Sequence, residues 1–211
     1  MNLLEFCSNE PAFRKRVKRL EIDGELYAGR FEEFAAKFQI PLTSLFHSNG
    51  VALIDIEYGV DALGLMQYME SKGDMSGSKI TVSEPVRSET TKNGIEDVFD
   101  IYREYSKKVG LDISIVRDDS DSILGWNKFG AIFWLNMFPE FCYVENLVYR
   151  LQRCKDNLLG GGVALLTQCE NSIYEEERYE RVLRKGLDEG LNIQLVEALG
   201  VLGNIGILLQ N

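Results

Sequence analysis

Residues 51–64 read Val51-Ala-Leu-Ile-Asp-Ile-Glu-Tyr-Gly-Val-Asp-Ala-Leu-Gly64. The run Val51–Ile56 is apolar except for Asp55 and too short for a helix, which suits a strand buried on both faces of a parallel sheet. A turn with acidic residues follows, and then a helical stretch over Ala62–Glu70. Strand, turn, helix is the opening unit of an α/β domain. His47-Ser48-Asn49-Gly50 immediately upstream is a turn signal, with His47 read as a loop residue.

Downstream the unit recurs. Lys79–Val82 is the next strand, and Ile95, Val98, Phe99, Tyr102, Tyr105 and Val109 mark an amphipathic helix closed by Gly110. Asp112–Val116 is a third strand, ending at Arg117-Asp118-Asp119, and Ala131–Leu135 is a fourth. Val144, Leu147, Val148, Leu151 and Cys154 space out a helix expected to stop at Gly160-Gly161-Gly162. Val163–Thr167 is a fifth strand, followed by a helix over Tyr174–Lys185 whose early Glu175, Glu176 and Glu177 suit the positive end of the helix dipole. The last stretch breaks the alternation: Asn192–Ala198 and Asn204–Leu209 are strand-like, and Leu199–Gly203 between them leaves no room for a helix. The expectation is an open α/β sheet of seven strands, mostly parallel, ending in an antiparallel hairpin, with helices on both faces.

Upstream of residue 49 the pattern is helical. Phe31, Phe34, Ala35 and Phe38 form one apolar stripe ending before Pro41. A helix around Ala12–Leu20 carries the basic run Arg14-Lys15-Arg16-Val17-Lys18-Arg19, read as a solvated face or an anion-binding patch. Residues 1–48 are therefore expected as an N-terminal helical cap on a main domain of residues 49–211.

Composition bounds the function. The 211 residues carry 23 Lys plus Arg against 33 Asp plus Glu, a formal net charge of −10. Such a chain repels a phosphate backbone, so nucleic acid is disfavoured as a partner. No apolar run approaches the roughly 20 residues of a bilayer span, so no membrane association is expected. Met1-Asn-Leu-Leu-Glu-Phe-Cys7 has no basic stretch before its apolar residues, so no signal peptide is expected. Four scattered cysteines and one histidine give neither zinc-ligand spacing nor a disulfide framework, which points to a reducing cytoplasm and no metal. One histidine also leaves little room for a Ser-His-Asp or Cys-His enzyme.

In order and spacing these segments resemble the S-adenosylmethionine-dependent methyltransferases of the Rossmann-like class. Residues 51–64 look like that family's first motif, a strand running into an acidic, glycine-rich loop. Phe129-Gly-Ala-Ile-Phe-Trp-Leu-Asn-Met-Phe138 is similar to its fourth strand, and Leu158-Leu-Gly-Gly-Gly-Val-Ala-Leu-Leu166 to the segment leading into its fifth. The resemblance runs from Val51 to the C-terminus. It implies a methyltransferase with S-adenosylmethionine as cofactor and a small molecule or protein as acceptor, and it is compatible with a homodimer.

One departure has chemical content. With Asp55 on the family's acidic position, Gly59 is kept, but Glu57 and Asp61 stand where flanking glycines are expected. Carboxylates there repel a pyrophosphate at the helix N-terminus by several kcal/mol when poorly solvated. S-adenosylmethionine carries a sulfonium and an amino group instead, which an acidic loop tolerates. The alternative is a degenerate domain that binds no cofactor and serves as a scaffold or regulatory partner.

By the resemblance, the cofactor-binding positions are Asp55, Glu57, Gly59, Glu84, Asp118, Asp119 and Asn136. Glu84 closes the second strand, where a carboxylate holds ribose hydroxyls, and Asp118 or Asp119 meets the adenine amine. Asn136-Met137-Phe138-Pro139 resembles, in altered order, the Asn-Pro-Pro-aromatic signature of amine methyltransferases, which makes Asn136 and Phe138 the substrate-binding pair. Tyr58, Trp126 and Phe138 are read as core or as a cage for a cation. No residue is nominated as catalytic.

Overall fold

The computed structural model describes residues 2–9, 29, 31–48, 50–54, 60–73, 76–83, 89–116, 123–125, 128–137, 143–168, 175–197 and 205–211. Seven strands form one sheet: β1 (Val51–Ile54), β2 (Lys79–Ser83), β3 (Asp112–Val116), β4 (Phe129–Met137), β5 (Leu158–Gln168), β6 (Ile193–Glu197) and β7 (Ile205–Gln210). Their order is β3-β2-β1-β4-β5-β7-β6. Strands β1 to β5 pair in parallel, and β7 inserts antiparallel between β5 and β6. This is the expected mostly parallel sheet with a terminal hairpin. Around it lie α1 (Leu3–Asn9), α2 (31–37), α3 (Leu42–Ser48), α4 (Val60–Ser71), α5 (Glu89–Val109), α6 (Val144–Asn157) and α7 (Glu175–Asp188).

Successive strand residues point to opposite faces, and both faces of the central strands are buried. Val51, Ala131, Phe133, Val163 and Leu165 join a core with α1, α2, α4 and α5, while Ala52, Ile132, Trp134, Ala164 and Leu166 join another with α6 and α7. The amphipathic stripe predicted for α2 lands in the first core, where Phe31 and Phe34 meet the edge of the Phe133 ring at centroid distances of 5.1 and 5.8 Å. In β2 and β3 the alternation is half polar. Ile80, Val82, Ile113 and Ile115 face the first core, and Lys79, Asp112 and Ser114 are exposed. The crossovers α4 and α5 accordingly lie on the apolar side of that half.

Two expectations are corrected. The helix expected to run on to Gly160–Gly162 ends at Asn157, and those glycines belong to β5. Between the pairs Phe129↔Leu158 and Ala131↔Val163 the register shifts, so β5 carries extra residues and Gly161 takes φ 78°. The glycines make an irregular strand entry, held where the Gly161 N–H donates to the Asn211 carbonyl at 2.8 Å and the Asn211 N–H to the Gly162 carbonyl at 3.0 Å. His47 sits in the last turn of α3, with Nδ1 donating to the Thr43 carbonyl at 2.8 Å. Pro41, one residue before α3, starts that helix as well as ending the one before it.

At the amino ends of the central strands three glycines stand together. The Gly130 N–H donates to the Gly50 carbonyl at 3.0 Å. A Cβ on Gly130 would lie 3.0 Å from Leu45 of α3, and one on Gly162 only 2.8 Å from the Gly130 carbonyl oxygen. Backbone contact thus closes this edge of the sheet under α3.

Candidate functional site

The opposite, carboxyl edge is where open parallel sheets bind ligands, at the point where successive crossovers diverge. Here that point lies between β1 and β4: from β1 the chain moves outward through α4 to β2, and from β4 it moves the other way through α6 to β5. Ile54, the last residue of β1, pairs with Trp134 of β4, and Ser83, the last of β2, pairs with Val116, the last of β3. The ends of four adjacent strands therefore lie along one edge.

Every residue expected in the site belongs to a segment attached to those ends. Asp55, Glu57 and Gly59 follow β1, Glu84 follows β2, Asp118 and Asp119 follow β3, and Phe138 follows β4. These seven lie outside the described residues, as do Tyr58, Trp126 and the run Arg14–Arg19, whereas the backbone of Asp61 is described and lies in the first turn of α4. The backbone of Asn136 is described and lies in β4.

Asn136 occupies a particular place there. Trp134 pairs with Leu166 and Met137 with Gln168, so β4 advances three residues while β5 advances two. Residues 135–136 thus form an irregularity of the β-bulge kind, which breaks the strand's two-residue side-chain alternation beside a prospective site. Beneath it, Trp134 is 1% exposed, and the guanidinium of Arg150 from α6 lies 4.1 Å from its ring centroid. A second arginine of α6, Arg153, donates from Nη2 to the Leu124 carbonyl in the β3–β4 link. Sequence reasoning missed both arginines. The available signal was their place beside the apolar stripe Leu147, Val148, Leu151 and Cys154, all of which are buried.

The groups with displaced pKa values lie elsewhere. Glu70, in the last turn of α4, accepts from the Leu3 N–H at 2.9 Å and from the Tyr105 hydroxyl, tying α1, α4 and α5 together. Burial raises its pKa above the ordinary carboxylate value. Burial, then the nearby Glu70 charge, pushes Cys7 up to about 11, and burial pushes Cys154 up to about 12. Among the described residues no three His, Cys, Asp or Glu side chains are grouped to hold a metal ion, and no helix is long and apolar enough to cross a membrane.

S-adenosylmethionine can be tested against this edge by its chemistry. The residues attached to the three strands β1, β2 and β3 supply carboxylates, which suit a sulfonium, an amine and ribose hydroxyls and are unsuited to a pyrophosphate. The crossovers diverge at β1 and β4, the place where open parallel sheets form a ligand crevice. The residue types in these segments are compatible with the group.

No protein-family model matches the sequence, and no curated protein matches it. Solved structures do match. A methyltransferase from Pyrococcus furiosus superposes with TM-score 0.53 at 17% identity over 83% of this chain and 81% of that one. The plantazolicin methyltransferase in complex with S-adenosylhomocysteine gives TM-score 0.52 at 11% identity over 99% and 94%. An rRNA methylase from Streptococcus thermophilus gives 0.50 at 12% over 81% and 91%. At such identities the likeness is one of fold. Strand order, antiparallel hairpin and these superpositions agree that the chain has the Rossmann-like fold of the S-adenosylmethionine-dependent methyltransferases.

Proposed function

We propose that the protein is an S-adenosylmethionine-dependent methyltransferase acting on a small molecule or protein. The observation that carries this reading is the β4 irregularity at Asn136, placed at the divergence of β1 and β4. An extra residue in a central parallel strand disturbs its ladder, and such features concentrate beside active sites. In this reading Asp55, Glu57 and Gly59 line the cofactor's amino-acid end, Glu84 accepts from the ribose hydroxyls, and Asp118 or Asp119 accepts from the adenine amine. Asn136 and Phe138 receive the acceptor, and residues 1–48 act as a helical cap over the main domain of residues 49–211. The cofactor would supply an electrophilic methyl group on a sulfonium. Aligning the acceptor in line with it contributes up to about 7–11 kcal/mol, with no strong acid or base required. One histidine in the chain is compatible with that chemistry.

Calorimetric titration with S-adenosylhomocysteine tests the reading. We expect micromolar binding that Glu84→Ala weakens tenfold or more, beside no heat with NAD. No heat up to millimolar ligand overturns it. Glu57 and Asp61, standing where the family has glycines, favour one second reading, a cofactor-free scaffold. That reading then stands.

A further inference from the structure

We propose that the outer edge of β6, with the flank of α7 beside it, is the surface on which two copies of this chain pair. β6 ends the sheet order, and β7 is its one neighbour. In an antiparallel ladder, residues bonded to the neighbour alternate with residues that face outward. The Gln210 N–H donates to the Asn192 carbonyl at 3.0 Å, and the register goes on to pair Gln194 with Leu208 and Val196 with Gly206. Asn192, Gln194 and Val196 therefore turn their N–H and C=O groups toward β7. Ile193, Leu195 and Glu197 turn theirs to the open edge, and nothing among the described residues pairs with them. Edge strands are commonly blunted by lysine, proline or a bulge. Asn192-Ile-Gln-Leu-Val196 carries no charge and no proline, and its register with β7 runs without a shift. β3, at the other edge, instead exposes Asp112.

The helix beside this edge adds apolar surface. α7 lies directly on β6, since a Cβ on Gly186 would overlap the Cδ1 of Ile193. Lys185 reaches Glu145 of α6 at 3.8 Å, which marks the side of α7 that faces α6. At 3.6 residues per turn, Leu183 and Leu187 fall on the opposite side, toward the open edge. Leu183 and Leu195 are partly buried, and Leu187 is 57% exposed. The same side carries Glu180 and Arg184, 3.4 Å apart. Opposite charges in succession along one flank are self-complementary: an antiparallel copy sets each carboxylate toward the other's guanidinium, as a two-fold interface requires. That local balance matters in a chain of net charge −10, whose copies otherwise repel. A two-fold at Leu195 sets Leu195 opposite Leu195 and Ile193 opposite Glu197, so every outward N–H of one strand meets a carbonyl of the other. The two α7 helices then lie on one face of a continuous sheet, with Leu187 withdrawn from water. One short strand and one helix flank make a small interface, which suits a concentration-dependent dimer.

Sedimentation velocity over roughly 5–500 μM reads the association. We expect the mass to rise from one copy toward two. Residue-resolved amide exchange should show protection of Leu195 growing with concentration, while Gln194 and Val196 stay protected throughout. Leu195→Pro removes an outward N–H and leaves the β6–β7 ladder its bonds. Leu187→Glu places a charge on the apolar flank. Each should weaken association at least tenfold. Tyr149→Ser, at an exposed position of α6, is the control and should leave association unchanged.

A chain that stays monomeric to the highest concentration overturns the proposal and leaves the edge to a strand of another protein. A dimer that both edge variants leave intact also overturns it, as does one that Tyr149→Ser dissolves, since either moves the interface to another surface. So does protection of Leu195 that is independent of concentration. If Leu195→Pro does not fold, Leu187→Glu and the Leu195 amide decide in the same way.

Discussion

Glu70 holds the amino-terminal helix in place. Its carboxylate accepts from Leu3 of α1 and Tyr105 of α5, Cys7 lies close enough to feel its charge, and Lys108 lies over the ring of Phe6 at 4.3 Å. Because burial raises the Glu70 pKa, the folded state favours the proton more than the unfolded chain does. That contribution to stability is fully present below the unfolded value and is lost as pH rises through the folded value. Glu70→Gln keeps an acceptor and cannot titrate. Wild type should therefore gain stability relative to Glu70→Gln as pH falls from neutral toward the ordinary carboxylate range, measured as the difference between their urea midpoints. Glu70→Ala leaves two donors without their acceptor and should cost about 1–3 kcal/mol at every pH. The cysteines give a second prediction at this scale. With pKa values near 11 and 12, Cys7 and Cys154 hold almost no thiolate at pH 8. Both should resist N-ethylmaleimide in the native protein and react at once in denaturant, as read by peptide mass spectrometry.

Among the elements, the glycine contacts at the amino edge make the sharpest demand. A methyl on Gly162 would meet the carbonyl oxygens of Gly130 and Leu159 at 2.8 and 2.9 Å, and neither belongs to a flexible side chain. Gly162→Ala should cost about 2–3 kcal/mol, a fall in Tm of roughly 5–10 °C. Gly160→Ala, with nothing within 4 Å of the added methyl, should stay within about 0.5 kcal/mol. These two glycines also show what was legible in the sequence. Val51–Ile54 and Asp112–Val116 announce their strands as short apolar or alternating runs rich in Ile and Val. Gly160–Gly162 reads as punctuation after a helix because glycine is the common helix stop, and only the pairing with Asn211, at the far end of the chain, draws the triplet into β5. His47 reads as loop from its neighbours Ser48, Asn49 and Gly50, whereas it lies in the last turn of α3, its ring bonded to the Thr43 carbonyl one turn back. Arg150 and Arg153 had no readable role, because a guanidinium's partner inside a fold depends on chain crossing that no local pattern encodes. Of the candidate site, the strand ends were legible, and so was the place of Asn136 late in β4. The bulge under it depends on the register with β5, which a single strand's sequence does not carry.

For the whole molecule, charge and topology act together. A net charge of −10 with five cations in Arg14–Arg19 predicts weak attraction to nucleic acid at low salt only. A fluorescent single-stranded RNA should show no binding tighter than roughly 100 μM by anisotropy at physiological ionic strength. Any low-salt binding should vanish when Arg14, Lys15 and Arg16 become alanine. Micromolar binding under physiological conditions would instead make RNA the acceptor class.

The strand order has a consequence during synthesis. β1 lies in the middle of the sheet, yet one of its two neighbours, β4, is translated only after β2 and β3. Until the nascent chain has passed Met137, a half-sheet of β3, β2 and β1 leaves Val51-Ala-Leu-Ile54 as a bare, apolar edge. Such an edge templates pairing with other chains. Truncated products that stop between β3 and β4 should accumulate on chaperones or in inclusion bodies, and slower translation across residues 117–128 should lower the soluble yield of the full chain.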